Sequence, residues 1–339
     1  MVDWVCLAAS VEGSSHQSRG TDSNDAFATV VAGSTAIIAV ADGAGSAAQS
    51  TIGANVAVDA AVAALQEHGF ASHEPNLTHE EHLRAAILSA RAAVLARATE
   101  LEADPRELAC TLLLCVATNE GIFAAQVGDG AIVAAVGNEY RLLCAPPRGE
   151  FLNETIFLTS DEALEYLVVT HTEVDSPRDL KHVAVFSDGL QTLALDLATD
   201  TPHSPFFNPL FGWVIGTDAS ESMLTDFLRS ARVRDKTDDD VTLVLLADRN
   251  AKAPVLGKVS PSPALGEGSL SPARGEGSPI GSGARARRRA VFVTIGAAIF
   301  VNVGVIAAVV LGVSVGVIAT VAIGVLVGMA VWASIRRYV

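Results

Sequence analysis

Several stretches put an aspartate where an apolar run begins or stops. Asp42 follows AIIAV in the stretch VADGAGSA (40–47), Asp129 follows GIFAAQV in VGDGA, and Asp188 follows HVAVF in FSDGL. Asp239 and Asp240 precede VTLVLLA in DDDVT, and Asp25 sits in SNDAF. Asp42, Asp129 and Asp188 are each followed directly by glycine. One Asp-Gly pair is an ordinary turn. A series of acids at strand ends is different, because strands sharing a sandwich can bring those ends to one rim. Carboxylates within a few Å of one another repel, and they cannot all stay ionised unpaired. Hard divalent cations are the natural compensation. Oxygen-only ligands, with no paired His or Cys, favour Mg²⁺ or Mn²⁺ over zinc. His79 and His82 lie three apart in HEEH, which is not HExxH and reads as a solvated helix face.

The elements that must position these acids are short apolar runs. Ala36–Val40, Thr111–Thr118, Gly121–Val127, Ala131–Val136, His182–Ser187 and Val241–Ala247 read as strands. Thr118–Gly121 and Gly128–Gly130 read as hairpin turns between three of them. Two long segments, roughly 47–67 and 79–102, read as helices, the second with Leu83, Ile87, Val94 and Leu101 near helical spacing. Further helices are expected after Gly189 and near Ser220–Ala231. Strand pairs in meander order with helices between them predict an α+β layered domain rather than an alternating parallel one.

The formal net charge is −15. Such acidity disfavours nucleic acid as a partner, since binding it needs cationic side chains that displace counterions. The four cysteines, Cys6, Cys110, Cys115 and Cys144, show no CxxC spacing and read as small buried thiols in a reducing compartment. The N-terminal MVDWVCLAAS has no basic stretch ahead of an apolar core, so no signal peptide is expected. No charged residue occurs from Ala290 to Ile335. As one helix that run would be roughly 70 Å long, against a hydrocarbon core about 30 Å thick. Two transmembrane helices, about 290–311 and 315–335, fit instead, with the turn near Gly312–Gly316. Basic flanks on both sides, Arg285–Arg289 and Arg336–Arg337, put both ends in the cytoplasm. Asn302 is the sole amide in the run, which reads as an anchor and not a transport pathway. Between them and a soluble domain at 1–248, residues 249–289 form a Pro/Gly/Ser-rich linker with a short repeat, SPALGEGSL then SPARGEGSP.

The ordered set RGTDSNDA, VADGAGS, ACTLLL, VGDGA, FSDGL and DDDVT resembles the metal-dependent Ser/Thr protein phosphatases of the PP2C (PPM) family. It is most similar to a bacterial branch in which a GxSH-like segment, here Gly13–His16, precedes the first acidic motif. The resemblance covers roughly residues 8–248. It implies a PP2C-like β-sandwich flanked by helical pairs, in αββα layers, with a binuclear Mn²⁺ or Mg²⁺ site at one end. On that resemblance Asp42 bridges the two metals, the Gly43 carbonyl binds one of them, and Asp188 and Asp239 complete the pair. Asp25 matches the position holding metal-bound water, with Asn24 where many members carry Glu. Asp129 matches a third, weaker metal position. Arg19, six residues before Asp25, matches a phosphate-binding arginine displaced by one position. Ala44 stands where many eukaryotic members have a candidate acid histidine. His16 is either a group that orients substrate or donates a proton, or a hydrogen-bonded structural histidine. In the last motif Asp239 is taken as the ligand and Asp240 as its neighbour. The implied reaction is direct hydrolysis of phosphoserine or phosphothreonine in proteins by metal-activated water. The implied setting is the inner, cytoplasmic membrane, with the catalytic domain in the cytoplasm, opposing a Hanks-type Ser/Thr kinase or acting on its substrates. The alternative is a catalytically weak, membrane-anchored binding or scaffold module, which would bind Mn²⁺ poorly.

Overall fold

The computed structural model describes residues 2–20, 22–67, 78–146, 155–174, 179–216 and 218–251. In chain order the elements are β1 (Trp4–Val11), α1 (Ser14–Arg19), β2 (Ala26–Ala32), β3 (Thr35–Ala41), α2 (Ser50–Glu67), α3 (His79–Glu100), β4 (Leu112–Ala117), β5 (Gly121–Val127), β6 (Ala131–Val136), β7 (Glu139–Cys144), β8 (Val168–Glu173) and β9 (Leu180–Phe186). They continue with α4 (Gln191–Ala194), β10 (Leu195–Asp196), β11 (Thr201–Pro202), α5 (Ser204–Val214), α6 (Glu221–Leu228), α7 (Ala231–Arg234) and β12 (Val241–Asp248). The apolar run 290–335 and the linker past Ala251 lie outside the described residues. No helix among the described residues is long and apolar enough to cross a membrane.

Two five-stranded antiparallel sheets carry the fold, one in the order β1-β12-β9-β6-β7 and the other β2-β3-β4-β5-β8. The runs that read as strands lack clean alternation because both of their faces are covered. On β4, Leu112, Leu114 and Val116 join the cluster formed with α2 and α3. Leu113, Cys115 and Ala117 point the other way, into the layer between the sheets. β12 repeats the pattern: Val241, Leu243, Leu245 and Ala247 pack with α5 and α6, while Val244 and Leu246 face the other sheet.

The outer helices are built for these contacts. α2 presents Ala54, Ala57, Val58, Ala61 and Leu65, small enough for close approach to Leu83, Ala86, Ile87, Ala90 and Val94 of α3. α3 starts at a capping box, with Glu81 N–H on Thr78 Oγ1 at 3.3 Å and Thr78 N–H on Glu81 Oε2 at 2.7 Å. α5 adds Phe206, Phe207 and Phe211 over the first sheet.

Two expectations change. Thr118–Gly121 does turn a hairpin between β4 and β5, but Gly128–Gly130 does not, because β5 and β6 belong to different sheets. Gly128 has φ +107°, a conformation open to glycine, and the Gln126 amide donates to both Gly128 O and Gly130 O at 2.9 Å. The segment is a corner from one sheet to the other, with Asp129 at its tip. HEEH also departs from a solvated face: His82 is buried with 6% exposure, and His79 stacks on Phe123 at 4.1 Å between ring centroids.

Candidate metal centre

The sheet registers collect the acids at one end of the sandwich. β12 begins opposite Val11, Phe186 at the end of β9 pairs with Leu243 and with Ala131, and Ala41 at the end of β3 pairs with Ala26. Asp25, Asp42, Asp129, Asp188, Asp239 and Asp240 therefore all follow or precede strands at that same end. Of these, Asp42, Asp129 and Asp188 are brought closest: one carboxylate oxygen from each lies within 4.8 Å of the other two.

Each of the three is held differently. Beyond β3 the chain stays extended rather than turning at once. Thr111 N–H donates to Asp42 O (2.8 Å) and Ala44 N–H to Ala109 O (3.0 Å), so Gly43 bridges Cys110. Asp42 N–H donates to Thr111 Oγ1 at 2.9 Å. These bonds use the carbonyl of Asp42 and the N–H of Ala44, leaving the Gly43 carbonyl outside them. The glycine itself answers to a crowded neighbour, since a Cβ there would lie 2.6 Å from Asn24 O and 3.0 Å from Ser50. Asp129 has Oδ2 taken by Thr155 Oγ1 (2.7 Å) and its carbonyl by Gln191 Nε2 (2.6 Å). Asp188 opens a short 3₁₀ turn directly after β9.

Asp25 and Asp239 stand outside the trio. Asp25 is 7% exposed, and its Oδ2 accepts from Ser187 Oγ at 2.8 Å. Asp239 is exposed, with Oδ1 accepting the Asp240 N–H at 2.9 Å. Its charge still acts on Asp42 and Asp188. Asp240 is buried at 4% and takes the bonds of Gly13, His16 and Asn24. Arg19 is the last residue of α1.

The electrostatics follow from crowding. Burial pushes the Asp188 carboxyl up to about 8, aided by the charges of Asp42, Asp129 and Asp239. Burial also raises Asp42 well above the usual carboxylate range, with Asp25, Asp129 and Asp239 adding to it. Asp25 is pushed up to about 7, again by burial first, while Ser187 and Thr242 hydroxyls pull it down and Asp240 and Asp188 push it back. Asp239 is raised by partial desolvation, against the Asp240 N–H. Among the described residues, Oδ1 of Asp25, of Asp129 and of Asp188 are buried and find no hydrogen-bond donor. Buried acceptors without donors are costly unless a cation takes the donor's place. The donor set is carboxylate oxygen, which suits a hard divalent cation. The residues present thus fit Mn²⁺ or Mg²⁺.

The four cysteines are free, Cys6 half-buried and the others buried. Cys110, beside Thr111, is pushed up to about 12 by burial and then by Asp42, so it is a poor nucleophile. Sequence reasoning missed Thr111, Ser187 and Thr155, which hold the acids in place. Ser187 leaves a trace, a lone hydroxyl between the run HVAVF and Asp188.

Residues 12–229 match the family described as Protein phosphatase 2C. Over 254 residues the chain is 34% identical to Serine/threonine-protein phosphatase 3 of Escherichia coli (strain K12), a span covering 72% of this chain and 98% of that protein. The fold is similar to the crystal structure of a bacterial serine phosphatase, with TM-score 0.52 and 14% identity over 74% of this chain and 100% of that one. It is also similar to a C. elegans sex determining protein, with TM-score 0.52 and 14% identity over 73% of this chain and 65% of that one. At such identity the two structures bear on the fold alone.

Proposed function

Because the chain belongs to the protein phosphatase 2C family and is a serine/threonine protein phosphatase, we propose that it hydrolyses phosphoserine and phosphothreonine in proteins with two Mn²⁺ or Mg²⁺ ions, and a third at Asp129. The observation that carries the metal reading is the convergence of Asp42, Asp129 and Asp188 oxygens within 4.8 Å. Asp42, with the Gly43 carbonyl, Asp188 and Asp239, would hold the principal pair. Such ions, when bound, acidify water and neutralise phosphoryl charge. Asp25, whose Oδ1 is buried and without a donor while Ser187 keeps Oδ2 occupied, would accept a proton from the attacking water. Arg19 is assigned to the phosphate by its place in the motif.

The membrane setting is part of the same proposal. It rests on the uncharged run 290–335 and its basic flanks. A two-helix anchor would hold the enzyme at the inner membrane, facing the cytoplasm, and raise its effective concentration against substrates of a membrane-bound Hanks-type kinase. Fractionation of the full chain beside a chain ending at residue 250 tests this part, and a full chain recovered in the soluble fraction refutes it.

The catalytic part is tested by phosphate release from a phosphothreonine peptide as Mn²⁺ is added to metal-free protein, with Asp42→Asn alongside. Release that requires Mn²⁺ and falls at least about 100-fold in the variant supports the reading, because the variant removes a ligand oxygen shared by the site. Absence of both Mn²⁺ binding and release would leave the scaffold reading in its place.

A further inference from the structure

The segment Gly13–His16 adds no oxygen to the carboxylate trio, yet it is bonded closely to the acidic run 238–240. Ser14 N–H donates to Asp238 O at 3.0 Å, and Ser14 Oγ to Asp238 Oδ1 at 3.2 Å. Gly13 lies flat on the same backbone: a Cβ there would stand 2.5 Å from Asp238 O and 2.6 Å from the Asp239 carbonyl carbon. Asp240 then gathers three N–H groups. Gly13 N–H (2.6 Å) and His16 Nδ1–H (2.8 Å) reach Oδ1, and Asn24 N–H (2.7 Å) reaches Oδ2.

Building on the metal-dependent reading above, we propose that Asp240 and His16 are positioning residues: a latch joining the start of β12 to Gly13–His16 and Asn24, which sets where Asp239 presents its carboxylate to the metals. Three observations support it. Both oxygens of Asp240 accept N–H donors, which a carboxylate satisfies and an amide cannot, since its NH₂ would face another donor. The His16 ring is committed at both nitrogens. With Nδ1–H given to Asp240, Nε2 is an acceptor 3.3 Å from Asn24 Nδ2, and Asn24 Oδ1 accepts from Thr51 Oγ1 at 2.7 Å. Donors therefore run in one direction from Thr51 through Asn24 and His16 to Asp240, and Nε2, the atom a proton donor would use, is engaged. Finally, Asp239 Oδ1 is fixed by the N–H of Asp240 itself, so moving Asp240 moves Asp239.

The experiment uses the full chain in mild detergent, with His16→Ala, His16→Gln and Asp240→Asn, each checked for native tryptophan fluorescence. Mn²⁺ binding is measured by calorimetry, and turnover on a phosphothreonine peptide and on p-nitrophenyl phosphate. A latch predicts that His16→Ala and Asp240→Asn weaken Mn²⁺ binding by about 10–100-fold, as loss of groups that orient metal ligands does. At saturating Mn²⁺ both esters should slow by the same factor, and His16→Gln, which keeps a donor for Asp240, should recover most of the affinity. The proposal is overturned if His16→Ala binds Mn²⁺ as tightly as the parent while the peptide, with its poor alkoxide leaving group, slows far more than the nitrophenyl ester. His16 would then be a proton donor. Full Mn²⁺ affinity in Asp240→Asn overturns it equally. Failure of the phosphatase reading appears elsewhere, as a parent protein that hydrolyses neither ester, and the binding arm still reads the latch because it needs no turnover.

Discussion

Acidification should weaken this fold through one residue outside the acidic cluster, His182. It lies on β9 with 0% exposure, paired in register with Ala247 and Ala135. Its ring stacks on Phe211 of α5 at 4.6 Å and 14°, and neither ring nitrogen has a hydrogen-bond partner among the described residues. Burial therefore depresses its pKa from 6.5 to about 4, with Lys181 adding to the effect and Asp248 opposing it. Below 6.5 the unfolded chain takes up a proton that the folded chain refuses until about 4. The stabilisation is complete above the unfolded value and is lost as pH falls through that window. At about pH 5 the loss amounts to about 2 kcal/mol, since each tenfold difference in proton affinity between the two states is worth about 1.36 kcal/mol. Asp25 and Asp188 act with the opposite sign, because their raised values let the folded state keep protons the unfolded state releases. A comparison with His182→Phe removes that common background. Urea unfolding at about pH 7.5 and about pH 5, followed by tryptophan fluorescence, gives ΔG for each protein by linear extrapolation. The difference between parent and variant should shift by about 2 kcal/mol in the variant's favour at the lower pH. Parallel behaviour of the two proteins would refute the reasoning, since it would mean that His182 takes its proton inside the fold without penalty.

Further outcomes follow from the same structure. Mn²⁺ binding near pH 7 should release protons, because burial pushes Asp188 up to about 8 and Asp25 up to about 7, so both carry a share of protons without the ion. The binding enthalpy should then vary with the ionisation enthalpy of the buffer, and affinity should rise with pH; a buffer-independent enthalpy contradicts this. Thr155→Val should leave the Asp129 carboxylate unanchored and weaken Mn²⁺ binding by about 10-fold in a calorimetric titration. Leu114→Ala, on the helix-facing side of β4 with 0% exposure, should cost about 3 kcal/mol by denaturant titration. Thr78→Ala removes one half of the α3 capping box and should cost about 1 kcal/mol by the same measurement.

Much of the architecture is written locally. The strand cores from β3 to β12 that sequence reasoning named are predominantly apolar runs, and the acids lie within two residues of their ends, so strand positions and the order of candidate ligands are legible from residue types alone. β7 and β8 escape that reading because polar residues interrupt them, as in EYRLLC and VVTHTE, and β10 and β11 because they are two residues each. β1 and β2 were also not named, although each carries a single polar residue among apolar ones. α1 escapes it because SSHQSR has no apolar stripe. Its place is fixed instead by bonds to Asp238 and Asp240, more than two hundred residues away.

What the chain could not announce is which surfaces meet. A run buried on both faces carries no periodicity to say which sheet it joins, so β5 and β6 read as a hairpin although they are assigned to opposite sheets. The close approach signalled by Gly43 was legible, but that its neighbour is the Asn24 carbonyl was not. The DDD run offered three equivalent carboxylates. Only tertiary packing separates them, because Asp240 meets three N–H groups and is buried while Asp239 before it is left exposed. Local residue chemistry sets which groups are available, and the long-range pairing of strands sets the distances between them, on which their joint chemistry depends.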